Sequence, residues 1–183
     1  MTLIYMSKVS KCLRLNSGSQ DDITDANAFM PIAFHLYKFY STSAAYEVYP
    51  DFVDFARKFR SERPNVRTAV ISNFDKRISN ILMQLGVMPF IDNVIYSEAA
   101  LSSKPNRQIF EKAIENLKPE IVEPHQVLHV GDDLTKDYKG PKLIGWNALL
   151  LNRSNLTFED VPPNHVCKNF IDVEEIIRKS FTQ

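Results

Sequence analysis

Cysteine, glycine and net charge are all scarce in this 183-residue chain. Its two cysteines, Cys12 and Cys167, lie far apart and outside any C-x-x-C spacing, which excludes a disulfide framework and a zinc site. Five glycines are present, and none falls into G-x-G-x-x-G or G-x-x-x-x-G-K-S/T, so dinucleotide and P-loop nucleotide binding lack support. Lys and Arg number 22 against 22 Asp and Glu, leaving no excess charge to recruit nucleic acid or an acidic membrane. No apolar run approaches the length of a membrane span. The opening stretch, MTLIYMSKVSKCL, is too short in apolar residues for the core of a signal peptide. The sequons at Asn152 and Asn155 are then chance matches, and a cytoplasmic, reducing compartment is expected.

What the chain does have is rhythm. Residues 1–48 lack a strand–turn–helix pattern, apart from an amphipathic stretch at Pro31–Tyr40. From Tyr49 onward helical and strand patterns alternate. Helices are expected at Asp51–Arg63, Asp75–Leu85, Asn106–Leu117, Leu134–Leu143 and Val173–Phe181. Strands are expected at Val66–Ser72, Asn93–Ser97, Gln126–Val130 and Asn147–Leu151. Such alternation predicts a parallel sheet covered by helices on both faces, with ligands at the carboxyl ends of the strands.

The polar residues fall at those ends. In Gln126–Asp137 (QVLHVGDDLTKD) an apolar run stops at Gly131, and Asp132, Asp133 and Asp137 follow at once. Acids crowded at a strand end are costly unless a cation neutralises them, and a hard divalent ion such as Mg2+ would do so. Asp132 is the best candidate for direct ligation, and Asp137 for holding the metal's waters. Asp133 is a weaker candidate that also reads as a helix cap. Ser72 and Asn73 end another strand and offer a hydroxyl and an amide to phosphate oxygens, or a cap to the helix that follows. Lys104, in SSKPNRQIF, reads as a solvated lysine if taken alone; opposite the carboxylates it could neutralise a phosphoryl group. His129 reads as a packed core residue. Asp75, Lys76 and Arg77 read as surface. Gly131, Gly140 and Gly145 suit tight turns and close helix–strand packing.

In this order and strand context, SN, then KP, then GDD with a later Asp resembles motifs II, III and IV of the haloacid dehalogenase superfamily, over about residues 49–152. The resemblance implies a Rossmann-like three-layer α/β/α core at 49–183 and a partial helical cap at 1–48. It implies a Mg2+-dependent phosphohydrolase of a small phosphorylated molecule, working through an aspartyl-phosphate. Ser72 and Asn73 would bind phosphate, Lys104 would stabilise the phosphoaspartate, and Asp132 would ligate Mg2+, with Asp137 matching the last motif acid. The family's nucleophile lies in a D-x-D-x-T/V motif ending the first strand. No such motif is found: Asp21-Asp22-Ile23-Thr24-Asp25 has the wrong order and follows NSGSQ, while Asp51 and Asp54 fall in a helical pattern. The first core strand is therefore expected to be absent, a loss comparable to a domain's whole stability of ~5–15 kcal/mol. Two readings remain, a truncated and inactive hydrolase or a non-catalytic protein that keeps the phosphate and Mg2+ pocket for binding or regulation. A phospho-acceptor receiver domain has its paired acids near the N-terminus and its lysine last, an order that this chain does not follow.

Overall fold

Among the described residues, short apolar runs become the strands of a six-stranded parallel sheet. The computed structural model describes residues 2–5, 26–117 and 123–180, with side chains over 30–117 and 123–180. The strands are β1 (Thr2–Tyr5), β2 (Arg67–Ser72), β3 (Asn93–Tyr96), β4 (Val127–Gly131), β5 (Asn147–Leu151) and β6 (Val166–Cys167). Their order is β3-β2-β1-β4-β5-β6, and every pairing is parallel. All of β4 and the last four residues of β2 and of β5 are buried. That continuous burial is what helices on both faces of a parallel sheet require.

The helices are α1 (Ala26–Phe39), α2 (Pro50–Glu62), α3 (Arg77–Gln84), the single turn α4 (Ser97–Ala100), α5 (Arg107–Leu117), the short α6 (Gly140–Leu143) and α7 (Phe170–Ser180). Pro50 opens α2 at a position where its missing N–H costs nothing. Phe52, Phe55, Ala56 and Phe59 then make its buried stripe, spaced i, i+3, i+4 and i+7. Phe170 of α7 meets that stripe edge-on at Phe52 (5.3 Å between centroids) and tilted at Phe55 (5.1 Å). Asp51 ties the same junction, accepting from the Phe170 N–H at 2.8 Å and from Arg153 at 2.8 and 3.0 Å. Right-handed crossovers place α2 and α5 on opposite faces of the sheet. On its own side α5 buries Ile109, Phe110 and Ala113.

The core strand expected to be missing is present. Thr2–Tyr5 lies in the middle of the sheet, with Ile4 level with Ala69 of β2 on one side and His129 of β4 on the other. Residues 2–5 therefore belong to the core rather than to the cap segment expected at 1–48. Four apolar-to-polar residues with no acidic motif behind them carry too little periodicity to read as a strand. Two parallel neighbours nevertheless satisfy their backbone. Cys12 and the Asp21–Asp25 stretch lie outside the described residues.

A proline in a central strand removes a ladder hydrogen bond and has no edge to escape to. Ile4→Pro is therefore expected to abolish the cooperative thermal transition of the chain by circular dichroism. An unchanged melt would show that Thr2–Tyr5 is not part of the sheet.

Candidate active site at the carboxyl edge of the sheet

β1 sits where the connections turn from one half of the sheet to the other, the switch point at which α/β sheets bind ligands. Tyr5 is level with Val70 and Val130, so Ser72 and Asp132 each lie two residues beyond that level, on the strands flanking β1. Ser72 is buried, and its Oγ accepts the Phe74 N–H at 3.2 Å. Its own O–H can still donate.

Asn73 plays a different part from either expected one. Its Oδ1 accepts the Lys104 N–H at 2.7 Å, and its Nδ2 donates to the Lys104 carbonyl at 2.9 Å. Both ends of the amide are engaged with one backbone residue, so Asn73 staples the Lys104 loop to the end of β2. It does not cap the next helix, which starts later, at Arg77. Asp75 fills the turn before it, accepting from the Arg77 backbone at 3.0 Å and from its guanidinium at 2.7–3.0 Å.

The staple brings Lys104 inward. Its side chain is 3% exposed, and its Nζ donates to Asp137 Oδ1 at 2.6 Å. Asp137 lies in a single π-helical turn, Leu134–Lys139, a local form frequent at functional sites. The same Oδ1 is 3.1 Å from His129 Nε2, and Oδ2 accepts the Asp133 N–H at 3.1 Å. Burial would raise the Asp137 carboxyl, but the His129 hydrogen bond and the Lys104 charge outweigh it and hold it well below the usual carboxylate range. Burial pushes the His129 imidazole down, so the ring is neutral and carries its proton on Nε2 to meet an acceptor-only carboxylate. Among the described residues its Nδ1 then has no hydrogen-bond partner, and the ring stands edge-on to Phe110 at 5.7 Å. His129 is in the core, as expected from its strand, and it also helps to fix Asp137.

Gly131 and Gly140 are required by this approach. A Cβ on Gly131 would fall 2.5 Å from Asp137 Cβ and Cγ, and one on Gly140 would fall 3.0 Å from Pro105 Cβ. Asp133 takes the capping role, accepting from the Thr135 and Lys136 N–H groups at 3.0 and 2.9 Å and from Lys136 Nζ at 2.8 Å. The acids are thus largely answered by the chain's own cations and amides. Among the described residues no group of three His, Cys, Asp or Glu side chains could hold a metal ion. Asp133 and Asp137 are engaged as described, and Asp132, the first acid beyond β4, keeps the place that its position gives it as the candidate ligand. Mg2+ normally takes one or two carboxylates, several waters and a ligand's phosphate. Among the described residues the donor set suits an ion that enters together with a phosphate ligand.

Breaking a buried pair by removing one partner strands the other's charge, at about 3–5 kcal/mol. Lys104→Met should lose that much stability in urea unfolding, and adding Asp137→Leu to it should recover most of the loss. The folded-state pKa of His129 lies below its ordinary 6.5, so its contribution is complete above that pH and drains away as pH falls. Between pH 7 and pH 5 stability should fall by up to about 1.4 kcal/mol per unit, a slope that His129→Gln should flatten.

Three comparisons bear on this geometry. A family model described as haloacid dehalogenase-like hydrolase matches residues 10–145. Over 129 residues the chain is 40% identical to haloacid dehalogenase-like hydrolase domain-containing protein 3 of Homo sapiens, covering 70% of this chain and 49% of that protein. The chain thus spans about half the length of that curated relative. The crystal structure of a HAD phosphatase from Thermococcus onnurineus superposes with a TM-score of 0.69 at 22% identity, covering 83% of this chain and 70% of that one. The putative HAD-hydrolase YfnB from Bacillus subtilis, solved bound to magnesium, superposes at 0.60 with 19% identity, covering 68% and 54%. At such identities the two structures speak for the fold alone. The family match and the human relative go further, and the chain belongs to the haloacid dehalogenase-like hydrolase family.

Proposed function

We propose that this chain binds a small phosphorylated molecule at the carboxyl edge of β2 and β4 and does not hydrolyse it. One observation carries the reading. The phosphate-facing parts, Ser72 and Lys104, are held in place by built contacts, while residues 6–20, which follow β1, contain no Asp or Glu. Covalent phosphoryl transfer in this family needs a carboxylate there as the attacking group. Water and a metal do not reproduce the geometry of such a nucleophile.

The remaining residues suit binding. An ammonium group has three donors, and Lys104 uses one on Asp137, so others can turn to a phosphate oxygen. The Ser72 hydroxyl adds an uncharged donor. Among the described residues of the edge, Asp132, Asp133 and Asp137 against Lys104 and Lys136 leave one excess negative charge, which repels a bare phosphate. Mg2+ arriving with the ligand, held by Asp132 and by the ligand's own oxygens, supplies the missing positive charge. The balanced charge of the whole chain argues against nucleic acid or an anionic membrane as the partner. Among the described residues no helix is long and apolar enough to cross a membrane. Burial pushes the Cys167 thiol up to about 12, an inert group compatible with the reducing, cytoplasmic setting that we favour.

The 183-residue chain should show no turnover of p-nitrophenyl phosphate above buffer in millimolar Mg2+. Orthophosphate titrated calorimetrically in the same buffer should bind, and Ser72→Ala should weaken it by roughly 3- to 10-fold, the worth of one hydrogen bond. Turnover that Lys104→Met abolishes would contradict the absence of catalysis. Binding indifferent to Ser72→Ala would contradict the placement of the ligand.

A further inference from the structure

Ser72 and Lys104, the two donors of the proposed phosphate site, stand on segments that leave the sheet side by side. Ser72 ends β2 and is level with Tyr96, the last residue of β3. The ladder between the two strands stops at that pair, and beyond it each chain turns. Among the described residues, several hydrogen bonds join the two turns. Asn73 holds Lys104 at both its backbone N–H and its carbonyl, as described above. The Phe74 carbonyl accepts the Ser97 N–H at 3.2 Å and the Ser97 hydroxyl at 2.8 Å. Glu98 accepts the Lys76 N–H at 3.1 Å. Between the held ends Leu101 keeps a left-handed backbone (φ 50°, ψ 29°), a strained form that persists where its surroundings impose it. Residues 72–76 and 97–104 are thus clasped into one unit.

We propose that Asn73 and Ser97 are positioning residues that preset Lys104 and Ser72 for the phosphate, an inference that rests on the phosphate-binding reading above. Asn73 acts through Lys104. With N–H and carbonyl both fixed, the lysine backbone aims its long side chain before any ligand arrives. Ser97 acts through Phe74. Its two donors hold the Phe74 carbonyl, and the Phe74 N–H in turn occupies a lone pair of Ser72 Oγ at 3.2 Å. A hydroxyl that accepts on that side keeps its own proton for another acceptor, such as a phosphate oxygen. A donor held in advance loses little freedom on binding, whereas a loose one must be ordered at the expense of affinity. The alignment beyond the end of the ladder depends on these side chains, because no further strand pairing maintains it.

Orthophosphate titrated calorimetrically into the full chain in millimolar Mg2+ tests these roles. Asn73→Ala should weaken binding about tenfold and Ser97→Ala roughly threefold, for two hydrogen bonds lost and one. In a Ser72→Ala background the Ser97→Ala loss should vanish and the Asn73→Ala loss should persist. The Asn73→Ala loss should vanish instead where Lys104→Met is combined with Asp137→Leu, which removes the ammonium together with its buried partner. A residue that acts through another shows this non-additivity, and a general loosening of the fold does not. Losses that recur unchanged in every background overturn the proposal, as does an Asn73→Ala loss that survives without Lys104, which would put Asn73 on the ligand itself. Single substitutions that leave the affinity of the chain unaltered overturn it too. A wild-type chain that binds no orthophosphate contradicts the phosphate-binding reading itself, and this inference with it.

Discussion

The carboxyl edge of the sheet is organised around one buried ion pair, Lys104 with Asp137. A lone ammonium or carboxylate in that position would carry a desolvation cost of several kcal/mol. The pair is tolerable because each oxygen of Asp137 has further donors, His129 on Oδ1 and the Asp133 N–H on Oδ2. Several features that look unrelated in the chain exist to make that meeting possible. Asn73 holds the lysine's loop against the end of β2. Gly131 has no side chain because Asp137 occupies that space, and Gly140 gives room to Pro105. The π-helical turn at Leu134–Lys139 carries Asp137 back under the strand from which it came.

The cluster of acids in QVLHVGDDLTKD raised the question of which cation neutralises it. The structure answers with residues of the chain itself, Lys104 on Asp137 and Lys136 with two backbone amides on Asp133. On the proposed reading a metal would be held by Asp132 and by what a ligand brings. On that reading the edge binds a phosphate that carries its own counter-ion, with the Ser72 hydroxyl and the Lys104 ammonium as donors. The same reading rests on the lack of an acid in residues 6–20, where covalent transfer would call for one.

Much of this architecture was legible in the sequence because it rests on long, regular patterns. The stripe of Phe52, Phe55 and Phe59 and the runs at Arg67–Ser72, Val127–Gly131 and Asn147–Leu151 are elements whose periodicity alone names them. β1 and β6 were not legible, since four and two residues hold too little pattern and are strands by virtue of their neighbours. At the site, Ser72 and Asp132 were read at the strand ends where they lie, and Lys104 was read opposite the carboxylates, where it meets Asp137. Their partners were not foreseeable. Asn73 and Lys104 are 31 positions apart, and the pairing of an amide with a distant backbone leaves no local signature. His129 carried a faint one, a polar residue inside a wholly apolar strand, which buried strands rarely hold without a partner. Arg77 looked like a surface charge because its two rings, Tyr37 and Phe74, come from different parts of the chain.

The central claim is that the chain's own lysines and amides, rather than a resident metal, stabilise the acidic edge. Thermal unfolding with and without millimolar Mg2+, in the absence of any phosphate, tests this most directly. The account predicts a melting temperature that does not move. A rise of about 5 °C or more would mean that the folded state holds Mg2+ by itself, and would contradict the account.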